Sequence, residues 1–592
     1  MQKDVSFIEN RISSKGSLWK KRADDLENIS LLKNANDIPD IIATILAGRH
    51  IEADDVNDFL YPEVNKLLKD PSCLFDLDNG IDCLVSAIRN NEIIGILGDY
   101  DVDGATSSSI LKLFFDHYLI KSEIYIPDRL KEGYGPNKAA IDSFYNKGIK
   151  TFITVDCGAT SIDVMDYADS KSMNAIIIDH HKVDNPLPKC TAHINPSRKE
   201  DSSSLDDLAA VGLTFVFIVG LRRAIRELNL YPDIIEPSLK QYLDLVALGT
   251  VCDLVPLKKI NRLFVKKGIE VINKKKNEGI QMLIDRLNID RNIDSSDISF
   301  YLGPCINAPG RVGESILGFK LLSLKYKNQL TNTIDTILRN NKERKTLESI
   351  ACREAKDKIY QTQHKRKNRK KNFILSYNKN WHPGIIGIIA GRLTKEFSLP
   401  SVVISSKNNS IKGSIRSIKG IHANEIIEFM HKNKLVINGG GHKMAGGFTL
   451  KNNTLDLLPS VLDDYFKNKD LLKEDNLDID IILELHSLNL NEIEKIKSLG
   501  PFGQENEEPR VVIRQLRPIF SKIVGKFRRH IFCVLEDIYG NTINAMAFNE
   551  VGSNIGKVIG REKVFNVAGK LNIYESEKQR LPQIIIEDIL VL

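Results

Sequence analysis

Gly98-Asp99-Tyr100-Asp101-Val102-Asp103-Gly104 sets three carboxylates on alternate residues, directly after the apolar run Ile93-Ile94-Gly95-Ile96-Leu97. The run reads as a buried strand, with the acids at its carboxyl end. Carboxylates this close repel one another. Either some are held protonated or a cation gathers them, and only the cation makes a general hydrolytic tool. The other reading is a solvated acidic turn, since Asp is frequent after strands.

Three more fragments repeat the pattern. Thr151-Phe152-Ile153-Thr154-Val155 ends in Asp156-Cys157-Gly158, and Ala175-Ile176-Ile177-Ile178 ends in Asp179-His180-His181. Leu245-Val246-Ala247-Leu248-Gly249-Thr250-Val251-Cys252, read as strand-like with a helix as the alternative, ends in Asp253. In an open parallel sheet the carboxyl ends of neighbouring strands line one crevice, so residues distant in sequence meet there. Helix-like stretches from Ala105 to Leu119, Asn137 to Asn146 and Ser161 to Lys171 supply crossovers of the length a parallel sheet needs.

Asp99-Tyr100-Asp101-Val102-Asp103-Gly104, Val155-Asp156-Cys157-Gly158, Asp179-His180-His181 and Gly249-Thr250-Val251-Cys252-Asp253 resemble, in order, the motifs of the DHH phosphoesterase superfamily. Within it the chain resembles the RecJ family of bacterial single-strand-specific DNA exonucleases. Ile126-Pro127-Asp128-Arg129 with Glu132-Gly133-Tyr134-Gly135, Asn307-Ala308-Pro309-Gly310-Arg311, Trp381-His382-Pro383-Gly384 and Gly439-Gly440-Gly441-His442-Lys443-Met444-Ala445-Gly446-Gly447 are similar to further signatures of that family. One such motif is weak evidence; the ordered set is strong. Pro501-Phe502-Gly503-Gln504-Glu505-Asn506-Glu507-Glu508-Pro509 departs from the family's turn, lacking its second glycine and inner proline.

At 592 residues the chain exceeds what one hydrophobic core organises, and 42% hydrophobic with 27% charged residues is a soluble globular balance. The N-terminal stretch lacks the apolar core of a signal peptide and no apolar run approaches a bilayer span, so a cytoplasmic protein without membrane contact is expected. The 8 cysteines include no Cys-x-x-Cys pair, which argues against a thiolate zinc site or a disulfide framework. Cys157 and Cys252 read as small side chains packed under the site. A net charge of +6 does not by itself announce nucleic acid. The basic run Lys365 to Lys371 reads either as a phosphate-tracking segment or as a solvated loop.

The expected architecture is α/β: a DHH parallel-sheet catalytic lobe, a long connecting helix, a DHH-associated α/β lobe and a C-terminal OB-type β barrel. Residues 1–75 form a helical segment, with amphipathic stretches at Ile38 to Ala47 and Val56 to Tyr61 read as covering the next domain. The catalytic domain occupies 76–260 and a helical region 261–371, in which Leu330 to Tyr360 reads as the connecting helix. The associated domain occupies 372–469, with strands at Phe373 to Ser376 and Ser401 to Ile404. Residues 479–592 shift to short strands, and the family resemblance makes this region an OB fold, a class that binds single strands through stacking aromatics and basic grooves. Phe527, Arg528, Arg529 and Tyr574 are candidates for that role, with core packing as the alternative.

Hydrolysis of a phosphodiester needs stabilisation of both entering and leaving oxygens, which two divalent ions roughly 3.5 to 4 Å apart supply. Carboxylates with imidazole suit Mn2+ or Mg2+, and the imidazole favours Mn2+. The resemblance implies that Asp103, Asp156, His180 and Asp253 hold one ion, and that Asp101 and Asp156 hold the other, with Asp156 bridging. Asp99 completes or orients the ligand set of the second ion, and His181 supports the site from behind. Water, not a protein nucleophile, attacks. Arg311, Ser414 and Arg416 match residues that bind a 5′ terminal phosphate in the family, and Arg forks suit phosphate oxygens. His382 and His442, each beside glycines, line the cleft between lobes or pack structurally.

The implied activity is 5′-to-3′ degradation of single-stranded DNA to mononucleotides in repair and recombination, with a helicase and a single-strand-binding protein as partners. The rivals are a DHH phosphodiesterase of short oligonucleotides or cyclic dinucleotides and a catalytically inactive DNA-binding scaffold. The C-terminal barrel argues against the first, and the intact acid set against the second.

Overall fold

The computed structural model describes residues 11–23, 25–183, 186–324, 326–365, 372–407, 410–467, 469, 476–561, 563–576 and 579–592. The described chain divides into two compact units, one from 70–255 with 267–472, the other from residues within 1–69, 256–266 and 473–592.

The first unit opens on a five-stranded parallel sheet: β1 (Ile94–Gly98), β2 (Ser122–Tyr125), β3 (Thr151–Val155), β4 (Asn174–Ile178) and β5 (Ala192–Ile194), in the order β2-β1-β3-β4-β5. Every residue of β1 and β3 is buried, as their unbroken apolar sequence requires. The chain leaves β1 towards β2 on one side and returns to β3 on the other, so the topological switch point lies between β1 and β3. Helices α1 (Leu77–Arg89), α2 (Val102–His117), α3 (Ala210–Glu227) and α4 (Leu243–Cys252) pack around it. The expectation of a strand-like run at Leu245 to Cys252 is corrected here: the segment is α4, and nine of its ten residues are buried. Enclosed by α2 and α3, the helix has no wet face and therefore no 3.6-residue polar period to reveal it.

Helix α5 (Lys327–Lys365) runs for 39 residues, about 58 Å at 1.5 Å per residue. The expected connecting helix is thus present and longer than read. A second sheet follows: β6 (Ile374–Tyr377), β7 (Ser401–Lys407), β8 (Ser410–Arg416), β9 (Val436–Gly441) and β10 (Ala445–Leu450), in the order β9-β10-β8-β7-β6, parallel only between β6 and β7. Helix α6 (Ile386–Phe397) and α5 bury Ile389, Leu393, Ala351 and Ala355 against Val403, while α7 (Ala423–Lys432) buries Ile426, Ile427 and Met430 against Val402 and Ile404. The basic run from Arg366 to Lys371 lies outside the described residues.

In the second unit, β11 (Ile481–Leu483), β12 (Arg510–Val524), β13 (His530–Glu536), β14 (Thr542–Ala547), β15 (Phe565–Ser576) and β16 (Gln579–Val591) form one sheet. The pairings β12–β13, β13–β14, β14–β16, β16–β15 and β15–β12 run in a closed circuit, to which β11 is added. The expectation that the N-terminal helices cover the parallel-sheet lobe is also corrected. Leu32, Ile41, Ile45 and Leu46 share one core with Val511, Ile513, Val567 and Ile589. Amphipathic spacing gave their buried face but carries no mark of its partner. Among the described residues, no helix is long and apolar enough to cross a membrane.

Candidate metal centre and phosphate pocket

The carboxyl ends of β1, β3 and β4 bring the acidic motifs together at the switch point. Gly104 is required here, because a Cβ on it would lie 2.4 Å from the Asp99 carbonyl oxygen. Asp101 caps α2, its carboxylate accepting the N–H of Gly104 at 3.1 Å. Asp103 in the first turn of α2 meets the start of α3, and its oxygens accept the N–H groups of Ala210 and Val211, each at 2.8 Å. Those donors form the positive N-terminal end of the α3 dipole, which suits a carboxylate. Asp156 follows β3 at φ +61°, a left-handed backbone that a non-glycine residue rarely takes. Asp253 ends α4.

His180 reaches into this ring of acids. Its Nε2 lies 3.5 Å from both Asp156 Oδ1 and Asp253 Oδ2, and 3.9 Å from Asp103 Oδ2. Three groups of ligand atoms lie within 4.8 Å of one another: Asp103, His180 and Asp253; Asp99, Asp101 and Asp156; and Asp156, His180 and His181. Burial, then mutual repulsion, pushes the Asp99, Asp156 and Asp253 carboxyls well above the usual range, and lifts Asp103 to about 7. Burial drives His180 down to about 4. Asp99 Oδ1, His180 Nε2 and Asp253 Oδ2 are buried without a hydrogen-bond partner among the described residues. Buried acceptors left unpaired are costly, and hard carboxylate oxygens with one neutral imidazole fit a divalent cation of the Mn2+ or Mg2+ type.

Asp179, quoted in the motif but given no role from sequence, is the anchor. It accepts the N–H groups of Ala159, His180 and His181 at 2.9, 2.8 and 3.2 Å, and Nδ1 of His181 at 2.7 Å. Burial opposes its charge, yet these donors hold it at about 2. Burial likewise opposes charge on His181, and Asp179 overrides it, raising the imidazole to about 9. A row of rings leads outward: His181 stacks on His442 at 6.1 Å and meets Tyr134 edge-on at 5.7 Å, and Tyr134 meets Tyr100 at 6.5 Å. The Tyr134 hydroxyl donates to the Asp156 carbonyl at 3.1 Å. Tyr134 and Arg129, which lies 4.8 Å over the Tyr100 ring, belong to motifs that the sequence reading quoted without assigning a role. Cys157 is fully buried.

Arg311, Ser414 and Arg416 come together beside the first turn of α6. The Ser414 hydroxyl and the Arg416 guanidinium lie 3.2 and 3.4 Å from the space a Cβ on Gly387 would fill. Burial, then the charges of Arg129, Arg344 and Arg416, lowers Arg311 to about 10. Arg344 is neutralised by Glu348 at 2.9 Å, whereas Arg129, Arg311 and Arg416 make no ion pair among the described residues. Guanidinium groups without an ion pair, close enough to depress one another's pKa, suit an anion such as a phosphate. His382 Nδ1 accepts the N–H of Gly384 at 3.1 Å, ordering the loop whose Gly384 carbonyl faces Arg311 Nη1 at 3.4 Å.

In the second unit, Phe527 is 76% exposed at the β12–β13 turn with Arg529 over its ring at 5.9 Å. Arg528 takes the left-handed turn position and Tyr574 is half-exposed on β15. A more ordered platform, missed from sequence, lies on the strands themselves. Phe520 and Phe532 meet edge-on at 6.3 Å, with Lys522 Nζ 5.9 and 5.2 Å from their rings. A register shift between Pro518 and Phe520 turns Phe520 outward, and Phe532 lies on the outer face of β13 opposite buried Ile531, Cys533 and Leu535.

Residues 93–250 match the DHH family, N-terminal domain, residues 370–468 the DHHA1 domain, and residues 479–588 the RecJ OB domain. The chain is similar to the single-stranded-DNA-specific exonuclease RecJ of Salmonella typhimurium, at 30% identity over 536 residues covering 87% of this chain and 90% of the relative. It is similar to the protein of the same description from Bacillus subtilis, at 28% identity over 580 residues covering 97% and 71%. Among solved structures, RecJ in complex with Mn2+ from Thermus thermophilus shares the fold with a TM-score of 0.78 at 21% identity, covering 95% of this chain and 78% of that one. Exonuclease RecJ bound to manganese gives a TM-score of 0.57 at 25% identity, covering 67% and 96%.

Proposed function

The chain belongs to the RecJ family of single-stranded-DNA-specific exonucleases, and from that premise we propose that it degrades single-stranded DNA from the 5′ end to mononucleotides, by hydrolysis dependent on two divalent ions. The observation that carries this reading is the buried ring of carboxylates around His180, with Asp99 Oδ1, His180 Nε2 and Asp253 Oδ2 left without partners. Asp103, His180 and Asp253 would hold one ion and Asp99 and Asp101 the other, with Asp156 close to both groups. Bound there, Mn2+ or Mg2+ supplies Lewis-acid stabilisation of the phosphoryl oxygens and a lowered pKa for the attacking water. The chain's own residues do the rest. Asp179 fixes the His181 ring, Tyr134 holds the Asp156 carbonyl, and the start of α3 orients both Asp103 oxygens.

Polarity belongs to Arg311, Ser414 and Arg416, which we assign to the 5′ terminal phosphate. Each charge-assisted contact contributes roughly 1.5 to 3 kcal/mol. Replacing Arg311 or Arg416 with Ala is therefore expected to shrink the preference for a 5′-phosphorylated end about ten- to a hundredfold while Mn2+ binding survives. Digestion of matched strands bearing 5′ phosphate or 5′ hydroxyl, with Mn2+ or with chelator, tests both halves. A parent protein without end preference, or one that digests from the 3′ end, would remove the pocket assignment. The RecJ OB match speaks against a phosphodiesterase confined to short oligonucleotides. Action in the cytoplasm, in repair and recombination, beside a helicase that frees the strand and a protein that coats it, completes the reading; faster digestion of duplex ends when both are added checks the last part.

A further inference from the structure

Asp244 lies in the first turn of α4, at the end opposite Asp253, and is 3% exposed. Its carboxylate has one hydrogen bond, from the N–H of Leu245 in its own turn at 2.7 Å, and no ion pair among the described residues. Burial raises it to about 7, against which its own turn and Lys276 act only in part. The phosphodiester chemistry makes no use of it. A buried carboxylate compensated only in part gains from a cationic partner.

Asp244 lines a cavity of about 420 Å³, a size that suits a small organic ligand. The last turns of α2 and of helix Leu317–Ser323 and the first turns of α4 and of helix Glu278–Arg286 all meet this cavity, so the helix dipoles favour neither sign and the carboxylates decide. Glu278 adds a second carboxylate. His117 Nε2 faces the Ile235 carbonyl at 2.7 Å, so it carries the proton and leaves Nδ1 as the acceptor. Leu113, Leu322 and Leu324 supply an apolar wall. Among the described residues, Lys276 is the single lysine or arginine in the lining. With Asp244 the single buried carboxylate in the described lining and Glu278 exposed, the set falls short of the six or more oxygens a bare divalent ion takes. It suits an ammonium group on a methylene chain.

We propose that this cavity binds a short aliphatic amine of the diamine or polyamine class, its ammonium paired with Asp244 and its chain against Leu113 and Leu322. The test is thermal denaturation of the full chain in chelator, at fixed ionic strength, titrated with putrescine and, as a neutral control, 1,4-butanediol. Wild type is expected to gain midpoint temperature saturably with putrescine and not with the diol, and Asp244→Asn to require at least tenfold more putrescine for the same gain. Asp103→Asn keeps the full gain, which separates this cavity from the acidic centre. No gain in wild type, an equal gain in Asp244→Asn, or a gain lost only in Asp103→Asn overturns the proposal. Should Asp244→Asn fail to fold, Leu324→Trp, which fills the rim and leaves the carboxylate in place, decides: an undiminished gain there is equally fatal.

Discussion

Asp156 concentrates the tension of the centre in one residue, with its backbone at φ +61° and a buried carboxylate pushed upward first by burial and then by Asp103, Asp101, Asp99 and Asp253. Stability given up at such a place returns when a divalent cation binds. Asp156→Asn should therefore keep or raise the midpoint of unfolding in chelator, lose most of the rise that Mn2+ gives wild type, and slow hydrolysis by about a thousandfold. Near-normal turnover in metal-supplemented mutant protein would remove the residue from the metal set. Asp179 and His181 form the opposite case, a satisfied pair. With His181 raised to about 9 and Asp179 lowered to about 2, the pair's contribution is complete between the ordinary carboxylate and imidazole values, near pH 4 to 6.5. It fades as pH rises through 9 or falls through 2. Imidazole NMR in metal-free protein should give a His181 pKa near 9, and Asp179→Asn should lower it, because burial is then opposed only by the charges of Asp253 and Asp103; an unchanged value would break the assignment.

Among the elements, what was legible in sequence depended on whether a segment keeps one wet face or a recognisable end. β1, β3 and β4 were readable as short apolar runs stopped by acids, and α5 as a long run of helix formers without proline. α4 was not, because burial on all sides erased its period. The acids of the centre were visible because each follows such a run, and the Asp179–His181 bond lies inside a quoted motif, whereas the bonds from α3 that aim Asp103 cross more than 100 residues and leave no local pattern. The β12–β13 hairpin teaches the same lesson about surface. Phe520 keeps the parity of buried Leu516 and Pro518, so its position reads as core until the register shift before it turns it out, whereas Phe532 holds the outer face of an unbroken strand. Base stacking on an aromatic ring is worth roughly 1 to 3 kcal/mol, so Phe520→Ala with Phe532→Ala should weaken binding of a long strand at least tenfold by fluorescence anisotropy. Binding unchanged in the double mutant but lost in Phe527→Ala would shift the platform to the turn.

For the whole molecule, the C-terminal strands are not an appendage that deletion removes cleanly, because their unit is assembled from three separated stretches of chain. Residues Leu18–Lys21 pair in parallel with Asn476–Ile479, and Trp19 Nε1 donates to Asp588 at 3.0 Å. Arg262, 1% exposed, donates to the carbonyls of Phe59 and Gly500 at 2.7 and 2.8 Å and lies 3.8 Å over the Phe59 ring. Truncation after Asp478 would thus strip the apolar faces of Ile41, Ile45 and Leu46 of their partners and leave this guanidinium without the Gly500 carbonyl. The expected outcome is loss of order in the N-terminal helices together with loss of DNA binding. Arg262→Met tests the linkage within the full chain: leaving buried carbonyls without donors costs about 2 to 5 kcal/mol, so residues 26–60 should become sensitive to brief proteolysis although the substitution lies some 200 residues away. If those helices stay protected in both the truncated protein and Arg262→Met, the shared core does not hold them. DNA affinity in the intact protein should meanwhile fall steeply with salt, and Lys522→Ala should reduce the slope of log affinity against log salt by about 0.7, the counterion released per phosphate contact on a single strand.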